Sequence, residues 1–296
     1  MSSDGTMTSN STPSTGASVK KARRMKLPAP NAIVGGTLIG ILLVTACIGA
    51  LWTPYDPLKL SFREKLAAPS ALHWLGTDEF GRDVLSRLMA GAATSVWISI
   101  LTVTLAVIAG TTIGLFSGYM RGWTDRIIMA FNDALLAFPG ILLALGLLAV
   151  VGANKYGIIV ALGIAYTPSV ARVVRGTVLS LREREFIAAS RVMGNSEGFT
   201  MARHILPNCI APLTVLATSM FGYVLLAESA LSFLGLGVPP PAPTWGNMLA
   251  GSRPYIGQAV WLGIFPGLCI SLTLLGINLL GDAVRDRLDP RMRGSR

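Results

Sequence analysis

Six long apolar stretches, near residues 31–53, 93–117, 127–151, 157–174, 211–235 and 260–281, set the pattern of this chain. About 20 apolar residues in a helix cross a hydrocarbon core about 30 Å thick, so each stretch predicts a transmembrane helix. A polar segment of different character separates the fourth from the fifth: residues 180–207, SLREREFIAASRVMGNSEGFTMARHILP. Ser180 and Glu183 have the S-x-x-E spacing of a capping box, in which each side chain satisfies a free backbone N–H at a helix start. Phe186, Ala189/Ser190 and Met193 then recur at three- and four-residue spacing, which predicts a helix with one apolar stripe. Arg184, Ala188, Arg191 and Asn195 lie on another, mainly polar face. Gly194 stands where this helix should stop, because glycine tolerates the left-handed turn that ends helices. The stripe has no hydrophobic partner in its own loop, so the short rod is expected to be a handle for another protein.

The other polar segments read as turns and caps. Residues 54–92 contain Gly76-Thr77-Asp78, Gly81-Arg82-Asp83 and Ser86-Arg87, and Asp83 is expected to cap a short surface helix over 84–89. Residues 235–254 are rich in proline, glycine and tryptophan, and Trp245 and Trp261 suit the headgroup region. Pro139 and Pro266 interrupt helical stretches, where membrane helices commonly kink. Gly110, Gly114 and Gly118 are spaced for close helix packing.

Composition agrees with a membrane protein. The chain is 52% hydrophobic and 14% charged, against about 25% charged in soluble domains. Residues 1–19 are Ser/Thr/Gly-rich and expected to be disordered, and Lys20, Lys21, Arg23, Arg24 and Lys26 follow. The first apolar run lacks a small-residue cleavage site and is expected to be retained as a span. A net charge of +10 raises nucleic acid as a partner, but the charges do not gather on one basic face. Placing both termini in the cytoplasm puts eighteen Lys and Arg inside and seven outside, as the positive-inside rule requires.

Two acids fall inside predicted spans. An acid at mid-span costs about 2.5–3.5 kcal/mol on insertion scales, so it normally faces a bundle interior or water. Asp133 and Glu228 therefore each have two readings. They line a translocation path, or Asp133 is solvated near the cytoplasmic surface and Glu228 joins two helices. His73 and His204 are the only histidines and fall on opposite sides, and with three scattered cysteines no metal site is expected. No paired acids stand at enzyme-like spacing. No G-x-x-x-x-G-K-[ST] phosphate loop occurs either, so ATP binding by that route is excluded.

Together these segments resemble the inner-membrane subunits of ATP-binding-cassette (ABC) importers. Residues 180–207 look like their EAA motif: Glu-Ala-Ala, three residues, Gly, nine residues, then Ile-x-Leu-Pro. The matching residues are Ala188-Ala189-Ser190, Gly194 and His204-Ile205-Leu206-Pro207, with Ala188 in place of Glu, Ser190 of the second Ala and His204 of Ile. GTDEFGRDVLSR at 76–87, LSFLGLG at 231–237, PPPAPTWG at 239–246 and RHILPN at 203–208 are similar to the second, C-type permease subunit of the dipeptide/oligopeptide importers. That group also serves nickel, glutathione and opines. The resemblance spans about residues 30–292.

What the resemblance implies is specific. The fold would be all-α and polytopic, with six transmembrane helices, the type I ABC importer permease arrangement and both termini cytoplasmic, in the cytoplasmic membrane of a bacterium. A tail (1–28), a first span (29–53) and an extracytoplasmic loop (54–91) would precede the core unit (92–281) and a basic tail (282–296). Phe186, Ala188, Ala189, Ser190, Met193, Gly194, Leu206 and Pro207 would couple the chain to an ATPase. Gly76, Thr77, Asp78, Gly81, Arg82 and Asp83 would build the outer loop, either as structure or as a seat for a solute-binding protein. The implied partners are a second homologous permease in a heterodimer, two ATPase subunits carrying ATP-Mg, the solute-binding protein and the lipid bilayer. No cofactor is expected on this chain. The cargo would be di- or oligopeptides, with nickel chelates, opines or glutathione as the alternative and a proton-coupled carrier as a rival mechanism.

Overall fold

Inside a hydrocarbon layer the backbone has no water to bond, so an apolar chain satisfies its N–H and C=O groups by coiling into helices. The computed structural model describes residues 30–288, with one isolated bridge, Thr77 to Asp83, as the only sheet-like pairing among the described residues. Residues 1–29 and 289–296, which hold the predicted N-terminal tail and much of the C-terminal one, lie outside the described residues. The helices are α1 (Pro30–Leu51), α2 (Val84–Met120), α3 (Gly122–Leu136), α4 (Gly140–Val151), α5 (Lys155–Arg182), α6 (Glu185–Val192), α7 (Glu197–Thr200), α8 (Leu206–Phe233), α9 (Trp245–Ser252) and α10 (Trp261–Leu288).

Among the described residues, five helical runs are long and apolar enough to cross a membrane: α1, α2, α5, the α7–α8 run and α10. The remaining expected span, the third (127–151), is not one straight helix. α3 and α4 meet at 95°. Pro139 causes the break, since its ring pushes the preceding residue, Phe138, out of helical geometry. Pro139 itself has ψ 127°, and α4 restarts at Gly140.

Two further expectations are corrected. The short surface helix over 84–89 does not exist as a separate element, because those residues are the first turns of α2. Nothing breaks the helix at Gly91, whose bare face lies against Trp245. At 1.5 Å per residue, the 37 residues of α2 reach about 55 Å, so its ends extend beyond a hydrocarbon core. The capping box at Ser180 and Glu183 is also absent. α5 continues through Ser180 to Arg182, Glu183 ends it, and α6 starts after Arg184 without a side-chain cap. The spacing matched, but the apolar helix upstream had not yet ended.

The chain alternates between two ends of the bundle. Residues 52–83 and 234–260 gather at one end, and the α2–α3 junction with residues 183–205 at the other. One core cluster joins α2, α4, α5 and α8 through residues such as Ile98, Leu148, Leu162, Val174 and Val224. A second joins α1, α2, α9 and α10 around Leu42, Leu88, Trp245 and Leu262. Trp245 is therefore a core residue rather than a headgroup anchor. It is 3% exposed, and its indole N–H donates to the Leu88 carbonyl at 3.0 Å.

Candidate functional sites at the two ends of the bundle

At the 183–205 end, the chain leaves α5 through Glu183 and Arg184 and forms α6. Gly194, at φ +77°, ends α6 as the pattern predicts. Asn195 N–H donates to the Ser190 carbonyl at 3.2 Å and Gly194 N–H to Arg191 at 2.9 Å, the paired bonds of a Schellman motif. Ser196 then caps α7 by accepting from the Phe199 N–H at 3.2 Å. A wide π turn over Met201–Ile205 leads into α8. Pro207 follows directly; its ring clashes with a helical carbonyl four residues back, and a widened turn relieves that clash. Asn208 closes the junction by donating to the His204 carbonyl at 2.7 Å.

One side of α6 is pinned and the other is bare. Ile187 is fully buried in the core. Ser190, also buried, meets Thr200 Oγ1 at 3.0 Å and accepts from Asn195 Nδ2 at 3.2 Å. Ser190 thus leaves the expected outward stripe and belongs to the pinned side, where its hydroxyl finds two partners. Phe186, Ala189 and Met193 do face outward, joined by Val192, which is 89% exposed. His204 packs edge-on against Phe186 and Phe199. Ala188 is exposed, Leu206 and Pro207 open α8, and Gly194 marks the end of the outward face.

At the 52–83 end, the motif at 76–87 folds into a self-satisfied knot. Asp78 Oδ2 lies 2.6 Å from Arg82 Nε and 3.3 Å from Arg87 Nε, while Oδ1 accepts from the Phe80 and Arg82 N–H groups. Asp83 caps α2, accepting from Ser86 N–H at 2.8 Å and Ser86 Oγ at 2.7 Å, with His73 Nδ1 at 2.9 Å from its other oxygen. Thr77 Oγ1 donates to the Glu64 carbonyl and accepts from Ala67 N–H. Gly76 and Gly81 have positive φ, and a Cβ at Gly76 would meet the Ala67 carbonyl at 2.7 Å. Asp78, Arg82 and Asp83 are all nearly buried, so their charge is spent inside the knot. Burial also pushes the Glu79 carboxyl above its ordinary value, against Arg82 Nη2 at 3.6 Å.

The two acids within the spans sit differently from each other. Asp133 on α3 pairs with Arg172 on α5 at 2.7 Å, both side chains about 60% exposed. Eight residues earlier, Asp125 accepts from Arg175 Nε and Nη2, each at 2.6 Å, and from Ser117 Oγ. Sequence reasoning missed Asp125, Arg172 and Arg175. Two acids about two helical turns apart, opposite two arginines three residues apart, were the available signal. Glu228 is fully buried on α8, with Ser232 Oγ donating to Oε1 at 2.8 Å and Oε2 unpartnered among the described residues. Gly237 and Gly246 close over the same turn of α8. An open furrow of about 440 Å³ runs between α5, α8 and α10, lined by Val173, Pro212, Val215, Leu216, Ser219 and Arg285.

A bundle of long apolar helices with a projecting, half-bare helix at one end is the architecture of a multi-pass membrane protein. Residues 110–294 match the family described as binding-protein-dependent transport system inner membrane component, and the chain belongs to that family. It is a multi-pass protein of the cytoplasmic membrane. The dipeptide transport system permease protein DppC of Alkalihalophilus pseudofirmus is 43% identical, with 93% of this chain and 89% of that protein aligned. The glutathione transport system permease protein GsiD of Pectobacterium atrosepticum is 40% identical over 88% of this chain and 87% of its own. Among solved structures, an inward-facing form of the MetNI methionine ABC transporter shares the fold. Its TM-score is 0.56 at 19% identity, covering 68% of this chain and 96% of that one.

Proposed function

We propose that this chain is one permease subunit of an ABC importer that carries di- or oligopeptides into the cell. Its termini and the 183–205 end lie in the cytoplasm, where the excess of Lys and Arg belongs. α6 is the handle: its bare face of Phe186, Ala189 and Met193 docks on an ATPase subunit, one of two that carry ATP-Mg. A second, homologous permease completes the translocation path, and a solute-binding protein delivers cargo to the 52–83 end. The observation that carries this reading is α6 itself, pinned through Ile187 and Ser190 while its apolar side stays uncovered. The furrow along α5, α8 and α10 is a candidate wall of the path, with Arg285 offering a guanidinium to a peptide carboxylate.

The peptide cargo rests on the dipeptide permease relative at 43% identity. Glutathione is the second reading, favoured by the glutathione permease relative at 40%. Both cargoes share a peptide-like backbone and a free carboxylate. Proton coupling gains little support, because Asp133 is held by Arg172 and Glu228 is sealed from solvent.

Uptake of labelled dipeptide, glutathione and nickel by cells carrying the complete complex tests the cargo. The handle is tested with Phe186→Glu together with Met193→Glu, which should abolish ATPase copurification while the chain stays folded. Normal copurification in that variant would overturn the coupling role.

A further inference from the structure

Tyr119 ends α2 on the 183–205 side, and three helices meet on its ring. The side chain is 2% exposed, and its hydroxyl has no hydrogen-bond partner among the described residues. What the position uses is therefore the ring. The guanidinium carbon of Arg182, the last residue of α5, lies 5.4 Å from the ring centroid. That of Arg191, on α6, also lies 5.4 Å away. Arg182 additionally donates Nη1 to the Tyr119 carbonyl at 2.5 Å. Two cations from two helices thus hold one aromatic ring from a third.

The ring sits at the end of a rigid pair. Gly110, Gly114 and Gly118 of α2 lie so close to α5 that added Cβ atoms would meet the Thr167, Ala171 and Arg175 carbonyl oxygens at 2.7, 2.6 and 3.1 Å. That seam stops one residue before Tyr119. At its other end α2 is anchored in the ionic knot through Asp83 and Arg87. A displacement of α6 that reaches Tyr119 therefore has a continuous rod to travel along. Cation–π attraction also tolerates sliding over the ring face, whereas a hydrogen bond weakens steeply with angle.

We propose that Tyr119 is the joint through which α6 moves the α2–α5 pair, with Arg191 and Arg182 as the two jaws. Tyr119 acts as a positioning residue and touches no cargo. The proposal rests on the reading of α6 as the ATPase handle and adds the next link in the chain of force.

The test uses the complete complex reconstituted in lipid, with whichever of dipeptide or glutathione the wild type carries. Tyr119→Leu should still copurify with the ATPases and hydrolyse ATP at the basal rate. Stimulation of hydrolysis by cargo-loaded binding protein should fall by about 2–5-fold, the range of a cation–π contact whose cation is exposed. Tyr119→Phe should keep full stimulation. Arg191→Gln should lose stimulation to the same degree, and the double variant should lose no more. Undiminished stimulation in Tyr119→Leu, or a Tyr119→Phe variant as poor as leucine, would overturn the proposal. If Tyr119→Leu fails to assemble, Arg191→Gln decides alone, since that side chain is exposed and its loss does not hollow the core. Failure of the handle reading is separate: it would show as normal ATPase attachment in the Phe186/Met193 double variant.

Discussion

Gly114 of α2 and Ala171 of α5 touch backbone to backbone: a Cβ at 114 would stand 2.6 Å from the Ala171 carbonyl oxygen. Neither atom can yield without moving a whole helix. Gly114→Ala is therefore expected to destabilise the bundle by about 1–3 kcal/mol, the usual cost of overpacking. Gly176→Ala on α5 is the control, because nothing lies within 4 Å of its added Cβ. Alanine there should be neutral or slightly stabilising, since glycine is the poorer helix former. Thermal midpoints of the purified chains in one detergent check both, and equal midpoints would refute the seam.

Gly194 tests backbone conformation without packing, because a Cβ there would meet open space. Its φ of +77° costs a β-carbon residue about 1–2 kcal/mol. Gly194→Ala should loosen the end of α6, raise protease cleavage between 190 and 200, and weaken ATPase copurification. Gly194→Asn should be milder, since asparagine tolerates left-handed geometry. Identical proteolysis in all three proteins would count against the Schellman end.

Two ion pairs join α3 to α5, and exposure ranks them. Asp125→Asn breaks a two-pronged, part-buried contact with Arg175, whereas Asp133→Asn breaks an exposed one with Arg172. The first should cost about 1.5–3 kcal/mol, as charged hydrogen bonds do. The second should cost less than about 1 kcal/mol. Denaturation of each variant measures the order. The reverse order would mean that Asp133 is shielded in the assembled protein.

Glu79 supplies a pH dependence. Burial, the dominant influence, makes its carboxyl hold a proton to higher pH when folded than when unfolded. Between those two values the folded state binds more protons, so stability falls as pH rises through that window. Glu79→Gln removes this titration. The variant's midpoint should gain on the wild type as pH rises from about 4 toward neutrality, and a pH-independent difference would dispose of the effect.

The legible part of the molecule was local. Gly194 ended its helix as expected, and Asp83 capped α2, because both effects act within one turn of backbone. Phe186 and Met193 were readable as an outward stripe by the same logic. The capping box at Ser180 failed because four residues of matching spacing cannot reveal that an apolar helix has not yet finished. The outward placement of Ser190 failed for a related reason: its hydroxyl is claimed by Thr200 and Asn195 from beyond the next turn.

Hydrophobic length alone determined that this chain crosses a membrane repeatedly, since transfer out of water depends on each residue and its near neighbours. The spacing from Ala188 to Pro207 likewise carried the family resemblance. Tertiary structure decided how helix faces meet: the bend at Pro139, the α2–α5 seam, the pairing of Asp133 with Arg172, the burial of Trp245 and Glu228, and the grip on Tyr119. Those contacts depend on the rotation and depth of each helix relative to its neighbours, and no local pattern in one segment specifies the partner that another segment presents.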